Sequence, residues 1–370
     1  MNHDRQTRFN CYPTAIVVVA LCGVLFGTVA LSSAGASESI SARPATTTNG
    51  HGIQVIGGPS FRFGAPTQIV AANGDMWIAN LGGNPGLTEI SSSTGRLVRV
   101  IKNPAFVVGD MALAWSGKDI WSAPFVQQGE SIKNRVFEIN PTNGDIVRTI
   151  RAPADEISQP ESIVVSSGDI WIANAGGGSV GPGQRSYVTE LAPNGSLVRV
   201  LSPHLVYPDA VAVAHGHVWV LGTANYQLTE FTSANGHYVK SISLPRTGTP
   251  EPNDLLVVGP NLWIPMGEWI DVVSATTGKV TRTIKLSHSQ VTSGSYNQHA
   301  VVVGAELFLT TGYLNTVLEI NMASGTVVRV IAGAAYAFKD PWGIAVSGGD
   351  LWVSNNNNSG EGSVTRFPIP

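Results

Sequence analysis

Seven residues spread over most of the chain share one register. Thr67, Asp110, Glu161, Asp209, Asn253, His299 and Trp342 each stand two positions ahead of a short apolar run. Three carboxylates, an amide and an imidazole repeated in this way have two chemistries open to them. Glu161, Asp209 and Asn253 carry hard oxygen ligands for a divalent cation such as Ca or Mg. Alternatively, the set places an acid and a base around a small molecule, with His299 as the catalytic group. A plainer reading is turn chemistry, in which Asp, Asn and Thr hydrogen-bond their own backbone, as in Tyr207-Pro208-Asp209. A second set, Asn80, Asn174 and Asn355 with Thr223 and Thr311 nearby, is open to the same two readings, turn capping or ligand contact.

The elements that must position these residues are read from a repeat. An aromatic recurs roughly every 44 to 50 residues at Trp77, Trp121, Trp171, Trp219, Trp263, Phe308 and Trp352, inside phrases such as DMWIAN, DIWIAN and DLWVSN. Before it lies an apolar run (QIVAA, SIVVS, AVAVA, GIAVS) and a glycine turn. After it come a segment like LTEI or VTEL, a turn such as Asn143-Gly144 or Asn194-Gly195, and a closing run like LVRVI. Four short strands per repeat and no sustained helical period predict an all-β chain, a single seven-bladed β-propeller of four-stranded antiparallel blades. The aromatic column is then blade-to-blade packing. The seventh repeat stops at Pro370 after three strands, and Ile53-Gln54-Val55-Ile56 resembles the missing fourth, so a strand near 52–57 is expected to close the ring over residues 52–370.

In that architecture the first strand of each blade is innermost, and the loop entering it emerges on the same face as the loop leaving the second strand. The seven-residue register therefore rings the mouth of a central channel, where carboxylates that repel one another have raised pKa values. Trp342 at the mouth is either a core plug or a ligand contact. The longest loops on that face, 123–134 and 175–186, form the expected binding rim. The glycine-rich 175–186 segment lacks the Lys-Ser/Thr of a phosphate loop. His215-Gly216-His217 falls at a turn on the opposite face.

The repeat units resemble the YVTN-type and NHL-type propeller repeats, whose Tyr-Val-Thr-Asn strand signature corresponds to Trp77-Ile78-Ala79-Asn80, Trp171-Ile172-Ala173-Asn174 and Trp352-Val353-Ser354-Asn355. The likeness spans nearly all of 52–370 and extends more distantly to streptogramin (virginiamycin B) lyase and gluconolactonase-like propellers. The lyase resemblance implies a Glu and a His around a proline in an entry loop. Here Asn297-Gln298-His299 keeps the His and lacks the Glu. The gluconolactonase resemblance implies Glu, Asn and Asp metal ligands, chemistry that Glu161, Asn253 and Asp209 offer. Such scaffolds host binding proteins and enzymes alike.

Composition limits the rest. The 370 residues are 43% hydrophobic and only 13% charged, with 41 glycines and 22 prolines, which suits a folded, turn-dense chain. A net charge of −3 without basic clusters argues against nucleic-acid partners. Cys11 and Cys22 are the only cysteines, so disulfides and thiolate metal sites are excluded from the body of the chain. Arg5 and Arg8, the apolar run Ala15 to Leu31 and the Ala34-Gly35-Ala36 pattern predict a signal peptide over 1–36, or else an uncleaved anchor, which would be the one link to a membrane. Residues 37–51 read as a flexible Ser/Thr-rich spacer. The expected protein is an exported monomeric binding scaffold for a small molecule, peptide or protein at the cell exterior. The alternative is a divalent-metal-dependent lyase or lactone hydrolase.

Overall fold

In the computed structural model the described residues are 45–48, 52–81, 86–103, 106, 111–124, 135–151, 157–176, 186–245, 252, 254–287, 289–291, 299–357 and 361–370. They build seven antiparallel sheets, each an up-and-down run of consecutive strands except the last, which also takes in the N-terminal strands. The chain divides into Met1–Ser41, which holds the expected export signal and lies outside the described residues, and Ala42–Pro370, which is the propeller. The innermost strands are Pro66–Ala72, Met111–Trp115, Pro160–Ser166, Pro208–Ala214, Leu256–Val258, Ala300–Val303 and Pro341–Ser347. Each touches the next in chain order, and the seventh returns to the first, which closes the ring.

Closure uses the expected segment. Gln54–Gly57 pairs with Ser363–Pro368 in the register Gln54↔Arg366 to Gly57↔Ser363, giving blade 7 its fourth strand. A fifth strand, Ala45–Thr48, lies outside it. Part of the segment expected to be a flexible spacer is thus hydrogen-bonded sheet, and it covers an edge that would otherwise offer free backbone groups.

Alternation along each second strand turns its aromatic toward the following blade, and the seven interfaces hold seven apolar clusters. Trp77, Trp219 and Trp352 are fully buried in three of them. Beside the aromatic, the third strand carries a carboxylate and the outer strand a cation. Glu89 lies opposite Trp77 on one side and Arg99 on the other, with Arg99 Nε 2.5 Å from Glu89 Oε2. The same ion pair recurs as Arg148 to Glu138, Arg199 to Glu190, Lys240 to Glu230 and Arg329 to Glu319. Several of these cations also reach the next blade's outer turn. Arg99 donates to Thr142 O, Arg148 to Pro193 O and Lys240 to Thr277 O. Gly144, at φ 78°, leaves room for this, since a Cβ there would lie 2.8 Å from Arg99 Cδ. These clasps occupy the face opposite the channel mouth of interest.

Two blades depart from the pattern: in blade 7 Arg366 takes the place of the carboxylate and pairs with Asp350, and blade 5 has no ion pair at this place among the described residues. Val272 replaces the carboxylate, and Arg282 donates only to the Met322 and Ala323 carbonyls among its described hydrogen bonds. The neighbouring Asp271 instead faces the apolar cluster between blades 4 and 5, opposite Ile264, and is fully buried. Its Oδ1 accepts the Thr283 hydroxyl at 2.6 Å while Oδ2 accepts no hydrogen bond among the described residues. Burial raises its pKa above the usual carboxylate value. A carboxyl group shifted upward on folding contributes stability that is present below its unfolded pKa, about 4, and lost as pH rises through the folded value. The isostere Asp271→Asn is therefore expected to raise the melting temperature by a few degrees at about pH 8 and hardly at all near pH 4. Calorimetry at the two pH values checks this, and an equal shift at both would contradict it.

Candidate functional site

The register singled out in the sequence has a common backbone geometry in four blades. The residue before the leading proline is left-handed in each, with φ of 53° at Ala65, 51° at Gln159, 49° at Tyr207 and 51° at Asp340. Proline biases its predecessor toward extended backbone, so this conformation has to be held by its surroundings. A hydrogen bond does so: the carbonyls of these residues accept N–H groups from Leu81, Ala175, Thr223 and Asn356, just past the ends of the second strands. A bulge follows the proline, and Thr67, Glu161, Asp209 and Trp342 sit in it. Bulges re-aim the side chain of the extra residue.

Blades 5 and 6 are built differently. Their inner strands have three and four residues and show no bulge among the described residues. The groups that converge there are Asp254, His299 and, from blade 7, Trp342. Asp254 Oδ2 accepts the N–H of Ala300 at 2.9 Å and Oδ1 accepts the N–H of Leu255 at 2.8 Å, so the carboxylate bridges blades 5 and 6. Oδ2 also stands 3.9 Å from His299 Nδ1, an ion-pair distance beyond a hydrogen bond. The His299 ring stacks on Trp342 with centroids 6.2 Å apart and planes 24° from parallel. Protein surrounds both titratable groups, yet 18% of the His299 and 24% of the Asp254 side-chain surface stays accessible. Burial pushes the His299 pKa below its ordinary 6.5, with Asp254 opposing. Burial likewise raises that of Asp254 against the pull of His299 and the two N–H groups. A His shifted below 6.5 is neutral at pH 7 and has a nitrogen free to accept a proton.

Asp254 was not singled out in the sequence. The register of one residue per repeat pointed to Asn253, and the carboxylate that meets His299 stands one position on. Asn253 and Asp110 lie outside the described residues, as do the loops 125–134 and 177–185 of the expected rim. Glu161 and Asp209 are half-buried in their bulges. Thr67 is fully buried and its hydroxyl makes no hydrogen bond among the described residues. Asn80, Asn174 and Asn355 are buried at the ends of second strands, where their amide nitrogens donate to Thr88, Thr189 and Thr365 within the same blade. Thr223 reaches Tyr207 O, and Thr311 pairs with Thr316. On the opposite face, His215 Nε2 lies 2.9 Å from Gly259 O and His217 Nδ1 lies 2.9 Å from Glu230 Oε1. Among the described residues no three His, Cys, Asp or Glu side chains come together in a way that would hold a metal ion.

Comparison with known proteins places the chain in the same structural company. Residues 338–359 match the NHL repeat family model. A streptogramin B lyase structure superposes with a TM-score of 0.65 at 16% identity, covering 86% of this chain and 97% of that one. Virginiamycin B lyase from Staphylococcus aureus gives the same score and identity, covering 86% and 99%. The WD40 propeller domain of Doa1 gives 0.61 at 14% identity, covering 83% and 93%. At these identities the likeness establishes the fold. No curated protein matches the sequence.

Proposed function

We propose that this chain is an exported β-propeller that binds a small molecule or peptide at the channel mouth. His299, Asp254 and Trp342 form the recognition point, and the half-buried Glu161 and Asp209 belong to the wall, with Thr67 buried behind it. The observation that carries the reading is the meeting of a neutral imidazole, a backbone-anchored carboxylate and an aromatic plane from three successive blades. Such a set hydrogen-bonds one end of a ligand and stacks on another. The register holds carboxylates and no Lys or Arg, which favours neutral or cationic ligands over anions. A thermal-shift screen of small molecules on residues 37–370 tests this: hits at the mouth lose their shift in both His299→Ala and Trp342→Ala. Hits indifferent to both substitutions would place binding elsewhere. N-terminal sequencing of the exported protein should find a start near Ser37.

A second reading, a metal-dependent lyase or lactone hydrolase, is favoured by one feature. The entry loop of His299 lacks the acidic residue that the lyase resemblance implies, and Asp254 brings a carboxylate to the imidazole from the neighbouring blade. If this reading holds, Ca or Mg at 100 times its Kd raises stability by about 2.7 kcal/mol after stripping with chelator. Glu161→Gln with Asp209→Asn abolishes the rise. A flat response to Ca, Mg, Mn and Zn leaves a cation-independent binding protein.

A further inference from the structure

The penultimate residue of the second strand can be compared across all seven repeats. It is Ala79, Ala123, Ala173, Leu221 and Pro265 in blades 1 to 5, then Thr310 and Ser354 in blades 6 and 7. The two hydroxyl residues do what the apolar ones do not. Thr310, fully buried, accepts the backbone N–H of His299 at 3.0 Å. The same oxygen lies 2.8 Å from the carbonyl of Trp342 and 3.1 Å from that of His299, which already accepts the Thr310 N–H, so the shorter approach directs its proton to Trp342 O. One blade on, the Ser354 hydroxyl accepts the Gly343 N–H and donates to Thr67 O. A Cβ on Gly343 would lie 2.5 Å from Thr67 O, which shows how closely these inner strands approach. The hydroxyls thus stitch blade 6 to blade 7 and blade 7 to blade 1 at the sector where His299, Trp342 and Thr67 stand.

We infer that Thr310 is the positioning residue of the site: its single hydroxyl ties the backbone of His299 to that of Trp342 and sets the spacing and tilt of the two rings. The inference rests on the reading of those rings as the recognition point, since only there does their spacing matter to a ligand. A side chain that merely filled the register would be met by alanine, as blades 1 to 3 show. A hydroxyl that bonds both partners across a blade seam fixes two backbones that no other described hydrogen bond joins.

The test uses the free protein, so its result is independent of whether a ligand is known. In spectra of the protein labelled at histidine, the His299 ring protons carry a ring-current shift from Trp342, identified by its loss in Trp342→Leu. Thr310→Ala is expected to fold, given the alanines in the same register, and to lose most of that shift. Thr310→Ser should keep it. The His299 pKa should move toward 6.5 in Thr310→Ala and stay in Thr310→Ser. Thr310→Val, which keeps the shape without the hydroxyl, should behave as Thr310→Ala does. A lower melting temperature with the Trp342-dependent shift intact would overturn the inference and leave Thr310 as packing, and so would loss of the shift in Thr310→Ser. Should Thr310→Ala move the rings while His299→Ala and Trp342→Ala leave every hit of the screen bound, the positioning stands and the assignment of the ligand site falls.

Discussion

A chain that begins at Gly58 should lose the cooperative unfolding transition of the propeller, whereas one that begins at Gly52 should keep it. The first truncation removes Gln54–Gly57, the outer strand that completes blade 7 against Ser363–Pro368. It also removes Ile56, fully buried between blades 7 and 1, and Ile53, buried between blades 6 and 7. Both interfaces of one blade are damaged together. Loss of a buried isoleucine side chain costs about 2 to 5 kcal/mol, and a domain has about 5 to 15 kcal/mol in all. The bond from Gln54 Nε2 to Thr94 O, which links blade 7 to blade 1, goes with them. The second truncation removes Ala45–Thr48, which among the described strands pairs only with Gln54–Gly57. Its expected cost is within about 1 kcal/mol. Calorimetry of the two truncated chains beside the full one reads the contrast. A sharp transition in the chain starting at Gly58 would mean that the apolar interfaces close the ring without the strand.

The architecture was legible because a repeat states its fold seven times. The column of Trp77 and its equivalents, the glycine turns and the fourth strand missing from the seventh repeat recur at nearly regular intervals, and the structure fills them as read. The clasps were written in the same segments and went unread. The Glu of LTEI and the Arg of LVRVI recur in step, but their pairing depends on a bulge that sets Glu89 opposite Arg99 and skips a residue beyond it. The mouth divided along similar lines. Where a proline marks the start of the inner strand, as at Pro160 and Pro208, the residue after it sits in a bulge that recurs from blade to blade. Blades 5 and 6 lack that geometry among their described residues, and there the chain's local pattern says little about which side chain meets which. Asp254 acquires its role from Ala300, 46 residues away, and His299 from Thr310 and from Trp342 in the next blade. Interactions of that kind are set by how one blade leans on another, which no single repeat encodes.

Asp254→Ala should make stability fall more steeply in acid than it does in the natural protein, and His299→Gln should remove that slope. Burial lowers the His299 pKa from 6.5, so its contribution is complete above the unfolded value and is lost as pH falls through the folded one. Asp254 runs the other way, since a carboxyl shifted upward on folding contributes below about 4 and loses that contribution as pH rises. In the natural pair the two slopes oppose each other. Removing the carboxylate abolishes the second slope and also takes away the charge that offsets burial of the imidazole, so His299 resists protonation further. The same substitution leaves the N–H groups of Ala300 and Leu255 without their acceptor, at about 1 to 3 kcal/mol each where water cannot replace it. Asp254→Ala is thus expected to be less stable at about pH 7.5 by that backbone cost, and by a margin that widens toward about pH 5. His299→Gln should show a flatter profile over the same range. Melting temperatures of these proteins and of the double variant across that window decide the matter: parallel profiles would mean that Asp254 holds the backbone of blade 6 and leaves the charge state of His299 alone. A gap that widens toward acid, and widens less when Asp254→Ala is made in the His299→Gln background, would mean that the carboxylate governs the proton on the imidazole beside Trp342.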